Sequence, residues 1–248
     1  MYRIAPRLVL SLMLLLLTMP VAAQTPVPTT PPAPVPARPQ AQPDWPNLAR
    51  YRQADLDLAA PAPKESRVVF MGDSITQGWH LDQSFPQKPY INRGISGQTS
   101  PQMVLRFHQD VIALRPKVVI ILAGTNDVAQ NTGPISAEET LNNIAAMAEM
   151  ATQNGIRVVL CSVLPAYDFG WRKGLEPAPK IAALNKLIQA YALEHKYVYV
   201  NYYAAMQDER GGLPETLSKD GVHPLPAGYD LMAPLAQKGI DQALKAKK

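Results

Sequence analysis

Three short polar segments of this 248-residue chain carry side chains whose types suit acyl transfer. The first holds a serine hydroxyl, the second a side-chain amide, and the third an aspartate three residues before a histidine. A serine needs a neighbouring base to act as a nucleophile, and a carboxylate can hold that base in one tautomer. Because the segments supply one of each group, together they predict a serine esterase. The segments are 72–75 (Gly-Asp-Ser-Ile), 124–127 (Gly-Thr-Asn-Asp) and 220–224 (Asp-Gly-Val-His-Pro).

Ser74 is the candidate nucleophile. It follows an apolar run, and Gly72 permits a tight exit from a strand that points the hydroxyl towards solvent. The alternative is that Ser74 caps the helix that follows, since serine is a preferred N-cap residue. The segment lacks the glycine two residues after the serine that the α/β-hydrolase nucleophile elbow requires, which disfavours that fold.

His223 is the candidate base, because histidine titrates near neutrality and can both accept and return a proton. Asp220 lies three residues earlier, so its carboxylate can fold back to Nδ1 within one loop, and Gly221 permits the turn. The alternative is that Asp220 and Gly221 form an ordinary turn and His223 begins a helix.

Gly97 and Asn126 are the candidate oxyanion-hole donors. A tetrahedral intermediate needs hydrogen-bond donors where its negative charge develops, and a backbone N–H with a side-chain amide would serve. Asn126 could equally be a turn residue, and Gly94 could replace Gly97 as the donor. The four histidines and the single cysteine show no metal-ligand spacing, so we expect neither a metal nor another cofactor.

The elements that must position these residues alternate along the chain. Short apolar runs rich in valine and isoleucine predict buried strands, and amphipathic segments between them predict helices. This alternation indicates the α/β class, with a parallel sheet covered on both faces. The predicted strands are 68–71, 117–122, 157–162 and 197–200, with 90–93 a weaker fifth. The predicted helices are 44–58, packed on the outside, then 100–114, a helix opened by a Ser136/Glu139 capping box and running towards Gly155, 178–195 and 227–246.

Ligands of such sheets bind beyond the carboxyl ends of the strands. Ser74, Gly97 and Asn126 each follow a predicted strand, so all three are expected at the same edge. Asp220 and His223 lie in the last loop before the final predicted helix and can reach that edge too.

Four short blocks occur in order along the chain: Gly72-Asp73-Ser74, Gly97, Gly124-x-Asn126-Asp127 and Asp220-x-x-His223-Pro224. In this order and with these separations they resemble the SGNH (GDSL-type) hydrolase superfamily, and the resemblance covers residues 67–248. The first block has Ile75 where leucine is usual in the superfamily. In this respect it resembles the branch of acetylhydrolases and carbohydrate acetyl esterases.

The resemblance implies a flavodoxin-like three-layer α/β/α sandwich with about five parallel strands. It also implies roles for the blocks. Ser74 would be the nucleophile, His223 the base and Asp220 the group that orients it. The backbone N–H groups of Ser74 and Gly97 and the side chain of Asn126 would form the oxyanion hole.

Four aromatic residues fall in loops that we expect near the active edge: Trp79, Tyr167, Phe169 and Trp171. They could line an acyl or sugar pocket, or they could cover the core beneath those loops.

The predicted activity is hydrolysis of short-chain acyl esters, acetyl esters above all. Short acyl groups are favoured over long lipids because no extended apolar lid segment separates the blocks. Acetylated carbohydrate is one candidate substrate. One alternative is a lysophospholipase-like or thioesterase-like hydrolase with the same site. Another is a carbohydrate-binding protein that retains the fold without catalysis.

The N-terminal part of the chain predicts export. Arg3 and Arg7 precede the apolar run 8–17, and small residues follow, so residues 1–23 have the pattern of a secretory signal peptide. The run is short for a membrane span, although an uncleaved anchor is the alternative. Residues 24–46 hold nine prolines and predict an extended spacer. Residues 47–248 form the predicted hydrolase domain, which would be secreted or periplasmic.

Charge and cysteine content restrict the partners. The formal net charge is +4, and without Arg3 and Arg7 the chain has 22 basic against 20 acidic residues. No basic stripe alternates with aromatic residues, so a nucleic-acid partner is not expected. Cys161, the single cysteine, lies in an apolar run, which predicts a buried, inert thiol and no internal disulfide.

Overall fold

The structure, a computed structural model, describes residues 43–246. The predicted signal peptide and all but the last four residues of the predicted spacer lie outside these described residues. Among the helices of this range, none is both long enough and apolar enough to span a membrane.

A five-stranded parallel sheet forms the centre of the fold, in the order β2-β1-β3-β4-β5. All four strand pairings are parallel, and Gly72 at the end of β1 is level with Gly94 of β2 and Leu122 of β3. The predicted α/β class and the fifth strand are therefore confirmed. The strands are β1 (Val68–Gly72), β2 (Tyr90–Gly94), β3 (Val118–Leu122), β4 (Arg157–Cys161) and β5 (Val198–Val200).

Nine helices are present in residues 43–246: α1 (Ala49–Asp57), α2 (Ser74–Gln77), α3 (Leu81–Ser84), α4 (Ser100–Asp110), α5 (Thr125–Val128), α6 (Ala137–Gln153), α7 (Pro177–Glu194), α8 (Tyr202–Met206) and α9 (Pro226–Lys245). The predicted capping box of α6 is confirmed. Its Ser136 Oγ accepts the Glu139 N–H, and Glu139 Oε2 accepts the Ser136 N–H.

Two of the predicted helices are shorter than expected. Residues 100–114 divide into α4 and a separate 3₁₀ turn at Ile112–Leu114. Residues 44–48 precede α1, whose N-cap is Leu48, and the Asp44 carboxylate accepts the N–H groups of Leu48 and Ala49.

Apolar residues on the two faces of the sheet pack into separate clusters. Along β1, Val69 and Met71 join the cluster under α4, α6 and α7, whereas Val68 and Phe70 join the cluster with α9. Strands covered on both faces bury every side chain, which explains the continuous apolar runs. The three-layer α/β/α arrangement predicted from the sequence is confirmed.

Candidate active site

The chain turns from β1 directly into α2 at Gly72, and this turn presents Ser74 at the carboxyl edge of the sheet. A Cβ atom on Gly72 would lie 2.1 Å from Thr76 Oγ1 and 2.8 Å from the Leu122 carbonyl oxygen, so only glycine fits there. Tight packing at this position therefore fixes where the next two residues lie.

Asp73, rather than Ser74, caps α2. Its Oδ1 accepts the Ile75 N–H at 2.9 Å, and Ser74 is already the first residue of the helix. The alternative of a capping serine therefore does not apply. The Ser74 hydroxyl instead lies 2.9 Å from His223 Nε2.

His223 and Asp220 face each other within one loop. His223 Nδ1 lies 2.5 Å from Asp220 Oδ2, while Asp220 Oδ1 accepts the N–H groups of Val222 and His223 at 3.0 and 2.8 Å. Gly221, with φ of +78°, makes the turn that this requires. α9 begins only at Pro226, so the alternative that His223 starts a helix does not apply.

Partial burial and hydrogen bonding act in opposite directions on the Asp220 carboxyl. Burial favours its neutral form, but the bonds from the His223 ring and from the two backbone N–H groups outweigh it. Together they lower the pKa of Asp220 to about 2. The carboxylate is therefore charged at neutral pH. A charged acceptor at Nδ1 favours the tautomer in which Nε2 can accept the Ser74 proton.

The three predicted oxyanion donors lie in the segments that follow β1, β2 and β3: Ser74 begins α2, Gly97 lies in a turn and Asn126 lies in α5. Asn126 is buried at the start of α5, and its Nδ2 donates to the Gln98 carbonyl oxygen at 3.0 Å and to Asp73 Oδ2 at 3.2 Å. Within residues 43–246, the backbone N–H groups of Ser74 and Gly97 donate to no protein acceptor. The alternative donor Gly94 gives its N–H to Asn92 Oδ1, so Gly97 is the better placed glycine.

A buried arginine holds the strand ends beneath this edge. Arg106 of α4 donates to the carbonyl oxygens of Gly72 and Arg93, to Gln98 Oε1 and to Asp110 Oδ2. It thereby ties the ends of β1 and β2 to the loop that carries Gly97. Arg106 is not among the residues predicted from the sequence, although its place beside Phe107 on the apolar side of α4 is an unusual position for a charge.

Two carboxyl groups are buried close to the site. Asp127 Oδ1 accepts the Ser100 hydroxyl at 2.5 Å, and burial raises the pKa of Asp127. Burial also raises the pKa of Asp73 to about 7. The hydrogen bond from the Ile75 N–H and the electrostatic interaction with His223 partly offset that effect, and the electrostatic interaction with Asp127 adds to it.

Two of the four candidate pocket aromatics are exposed near His223 and Asp220. Trp171 is 48% exposed, and its ring centroid lies 6.3 Å from that of the His223 ring. Tyr167 is 56% exposed and lines a cavity of about 220 Å³ that also contacts Asp220.

The other two aromatics lie beneath the surface. Trp79 is 3% exposed, packs edge-on against Phe70 and donates Nε1–H to Ser84 Oγ. Phe169 is fully buried in the cluster under α4, α6 and α7. Both therefore occupy the core, which was the alternative for these residues, and neither offers a ring face to a substrate.

The arrangement joins a hydroxyl, an imidazole and a carboxylate in one hydrogen-bonded row, with the backbone N–H groups of Ser74 and Gly97 on the same sheet edge. Such a row can deprotonate the hydroxyl as it attacks an acyl carbon. The N–H groups can stabilise the charge that develops on the acyl oxygen.

Known proteins share both the sequence pattern and the fold. Residues 70–231 match the family model described as GDSL-like Lipase/Acylhydrolase family. A putative acylhydrolase from Bacteroides fragilis, known as a crystal structure, is 46% identical and superposes with a TM-score of 0.80. The superposition covers 82% of this chain and 100% of that one.

Curated relatives are more distant. The esterase TesA of Pseudomonas aeruginosa is 26% identical over 63% of this chain and 79% of its own length. An uncharacterized lipoprotein of Bacillus subtilis, YqeF, is 26% identical over 58% of this chain, and the match spans only 59% of that lipoprotein.

Proposed function

We propose that this chain, which belongs to the GDSL-like lipase/acylhydrolase family, is a serine ester hydrolase that cleaves short-chain acyl esters through an acyl-enzyme formed on Ser74. The observation that carries the proposal is the contact of Ser74 Oγ with His223 Nε2, 2.9 Å apart. The same imidazole contacts the charged Asp220 carboxylate through Nδ1.

The reaction would proceed in two halves. Ser74 Oγ attacks the acyl carbon while His223 Nε2 takes its proton, and the tetrahedral intermediate then expels the alcohol, which receives that proton. Water next attacks the acyl-enzyme and gives a proton to His223, which returns it to Ser74 as the acid leaves. Asp220 keeps its charge throughout and stabilises the imidazolium.

The oxyanion would bind to the N–H groups of Ser74 and Gly97 and to the Asn126 amide. Both hydrogens of that amide have internal acceptors, so its donation to the substrate requires that one bond be exchanged. The bond to Asp73 is the longer of the two, at 3.2 Å against 3.0 Å to Gln98. We therefore assign the exchange to Asp73.

An open site supports the short acyl group. The side chains of His223 and Asp220 are 42% and 51% exposed. Each methylene group of an acyl chain contributes about 0.8 kcal/mol to the binding free energy only when it is buried. A long acyl chain beside this row would remain in water and would therefore add little to binding. Acetyl esters suit the site best.

Two exposed aromatic residues support a carbohydrate as the alcohol part: Trp171, beside His223, and Tyr167, whose ring is covered on one face by the Arg210 guanidinium at 5.2 Å. An aromatic face exposed beside a catalytic row offers apolar area to the C–H face of a sugar at little entropic cost, because the ring has only two rotatable bonds. Acetylated carbohydrate is therefore the proposed substrate class.

Hydrolysis of p-nitrophenyl acetate tests the mechanism. Ser74→Ala should abolish turnover, whereas Ser66→Ala, which changes an exposed serine just before β1, should leave it unchanged. A Ser74→Ala enzyme as active as the parent would overturn the proposal.

An acyl series from acetate to palmitate, together with acetylated sugars, tests the substrate class. The ratio kcat/KM should be highest for acetate. A maximum at long chains would instead favour the lysophospholipase-like alternative.

We also propose that the protein is exported, on the basis of the pattern in residues 1–23. N-terminal sequencing of protein recovered from the medium or periplasm should begin near residue 24. Recovery of Met1 in the membrane fraction would favour the uncleaved anchor.

A further inference from the structure

Asn131, in the loop after α5, contacts three separate parts of the candidate site. Its Nδ2 donates to Asn126 Oδ1 at 2.7 Å and lies 3.4 Å from the carbonyl oxygen of Gly97. Its Oδ1 accepts the Trp171 Nε1–H at 3.2 Å. One carboxamide thus touches two proposed oxyanion donors and the exposed ring beside His223.

These contacts fix the orientation of the Asn131 carboxamide. Its nitrogen can only donate and its oxygen can only accept, and a 180° flip would set its oxygen against Asn126 Oδ1 and its NH₂ against the Trp171 N–H. Both flipped contacts repel. The backbone also holds Asn131, whose N–H donates to the Asn126 carbonyl oxygen at 3.0 Å.

The orientation of Asn126 follows from that of Asn131. Because Asn126 Oδ1 receives the Asn131 N–H, its Nδ2 must point the other way, towards Asp73 beside the nucleophile. We propose that Asn131 is a positioning residue, which aims the Asn126 amide at the developing oxyanion and joins the oxyanion hole to the Trp171 ring. This inference rests on the proposed role of Asn126.

A second contact between the same segments supports the connection to Trp171. The next residue, Arg172, donates Nη1–H to the carbonyl oxygen of Gln130 at 2.9 Å. Two successive residues of the Trp171 loop therefore bind two successive residues, Gln130 and Asn131. The Trp171 loop and the segment that carries Asn131 are therefore joined at two adjacent points.

Steady-state kinetics on p-nitrophenyl acetate test the proposal. Asn131→Ala should lower kcat roughly ten-fold with KM nearly unchanged, since it removes one orienting hydrogen bond felt mainly in the transition state. Asn142→Ala, at an exposed asparagine of α6, is the matched control and should behave like the parent.

A double-mutant cycle separates positioning from general damage. If Asn131 acts through Asn126, then Asn126→Ala and the Asn126→Ala/Asn131→Ala double variant should have the same kcat within about two-fold. Losses that multiply would overturn the proposal.

Two further variants keep the test decisive if Asn131→Ala is unstable. Asn131→Asp can still accept from Trp171 but sets a carboxylate against Asn126 Oδ1, so its kcat should fall at least as far. Trp171→Phe keeps a ring but loses the N–H, and should lower kcat about three-fold in the parent. Parent-like kcat in both of these variants would refute the role of Asn131. An active Ser74→Ala enzyme would instead refute the proposed function itself.

Discussion

Asp73 Oδ2 lies 3.2 Å from Asn126 Nδ2. This buried carboxyl group therefore accepts a hydrogen bond from the amide that we propose as a donor to the oxyanion. Asp73 follows β1 and Asn126 follows β3, and these two strands are neighbours in the sheet. The carboxyl oxygen therefore stands in for the negatively charged oxygen that develops during acyl transfer. This relationship makes both residues informative targets for mutation.

Asn126→Ala should lower kcat by about 10²–10³ and change KM little. The amide contributes mainly when the acyl oxygen becomes charged, so its loss raises the barrier more than it weakens substrate binding. Steady-state kinetics on p-nitrophenyl acetate measure the two constants separately, with Asn142→Ala as the control. An increase in KM alone would contradict the oxyanion role.

Asp73→Asn should reduce the dependence of stability on pH. The folded-state pKa of Asp73, about 7, lies above its ordinary value of 3.8, so the folded state holds this proton more tightly than the unfolded state does. Stability should therefore fall as pH rises from about 4 to about 7, by an amount on the order of 4 kcal/mol from this group, and then level off.

Denaturant unfolding at pH 5 and pH 8 checks that prediction. The parent should lose more stability between the two pH values than Asp73→Asn does, while Asp57→Asn, an exposed carboxyl of α1, should follow the parent. Equal losses in parent and Asp73→Asn would show that Asp73 does not titrate in this range.

Asp220→Asn should lower kcat by at least about 10²-fold, because an amide no longer stabilises the imidazolium and can hold His223 in the wrong tautomer. The pKa of Asp220 is about 2, so its carboxylate stays charged at every pH above about 4. Any acid limb of the parent pH–rate profile above pH 4 therefore comes from another group. Glu215→Gln, which neutralises a carboxylate lining the same cavity as Asp220, is the matched control and should keep the parent's kcat.

The sheet, and the meeting of Ser74 with Asn126 at one of its edges, could be predicted from the sequence because their signals are local. Continuous apolar runs such as β3 identify buried strands, and the strand-end rule then brings Ser74 and Asn126 to one edge. By contrast, the partners of Asn131 depend on where the Trp171 loop packs, which no local pattern encodes.

The loop that carries Phe169 and Trp171 is a second case in which the sequence does not predict how side chains pack. Phe169 and Trp171 are two residues apart and alike in hydrophobicity, yet one is fully buried and the other about half exposed. An irregular loop has no period from which a buried face could be read. Only its packing against the core decides which ring a substrate can reach.

Gly94, the last residue of β2, and Gly97, in the loop that follows, provide a test of what the candidate site requires of its glycines. A Cβ on Gly94 would lie 2.1 Å from the Gln77 backbone nitrogen and 2.7 Å from the Asp73 carbonyl oxygen. Because these are backbone atoms of α2 and its N-cap, the segment that carries Ser74, Gly94→Ala must displace that segment. It should lower both kcat and the free energy of unfolding, the latter by more than about 2 kcal/mol.

Gly97→Ala should be much milder. Nothing lies within 4 Å of a Cβ at Gly97, so the only cost is its φ of +77°, about 1–2 kcal/mol of stability for a residue with a side chain. Alanine keeps the N–H that we assign to the oxyanion, so kcat should stay within a few-fold of the parent. Kinetics and denaturant unfolding of the two variants, measured side by side, check both expectations. A large loss of kcat in a well-folded Gly97→Ala enzyme would mean that the site needs more at this position than a backbone N–H.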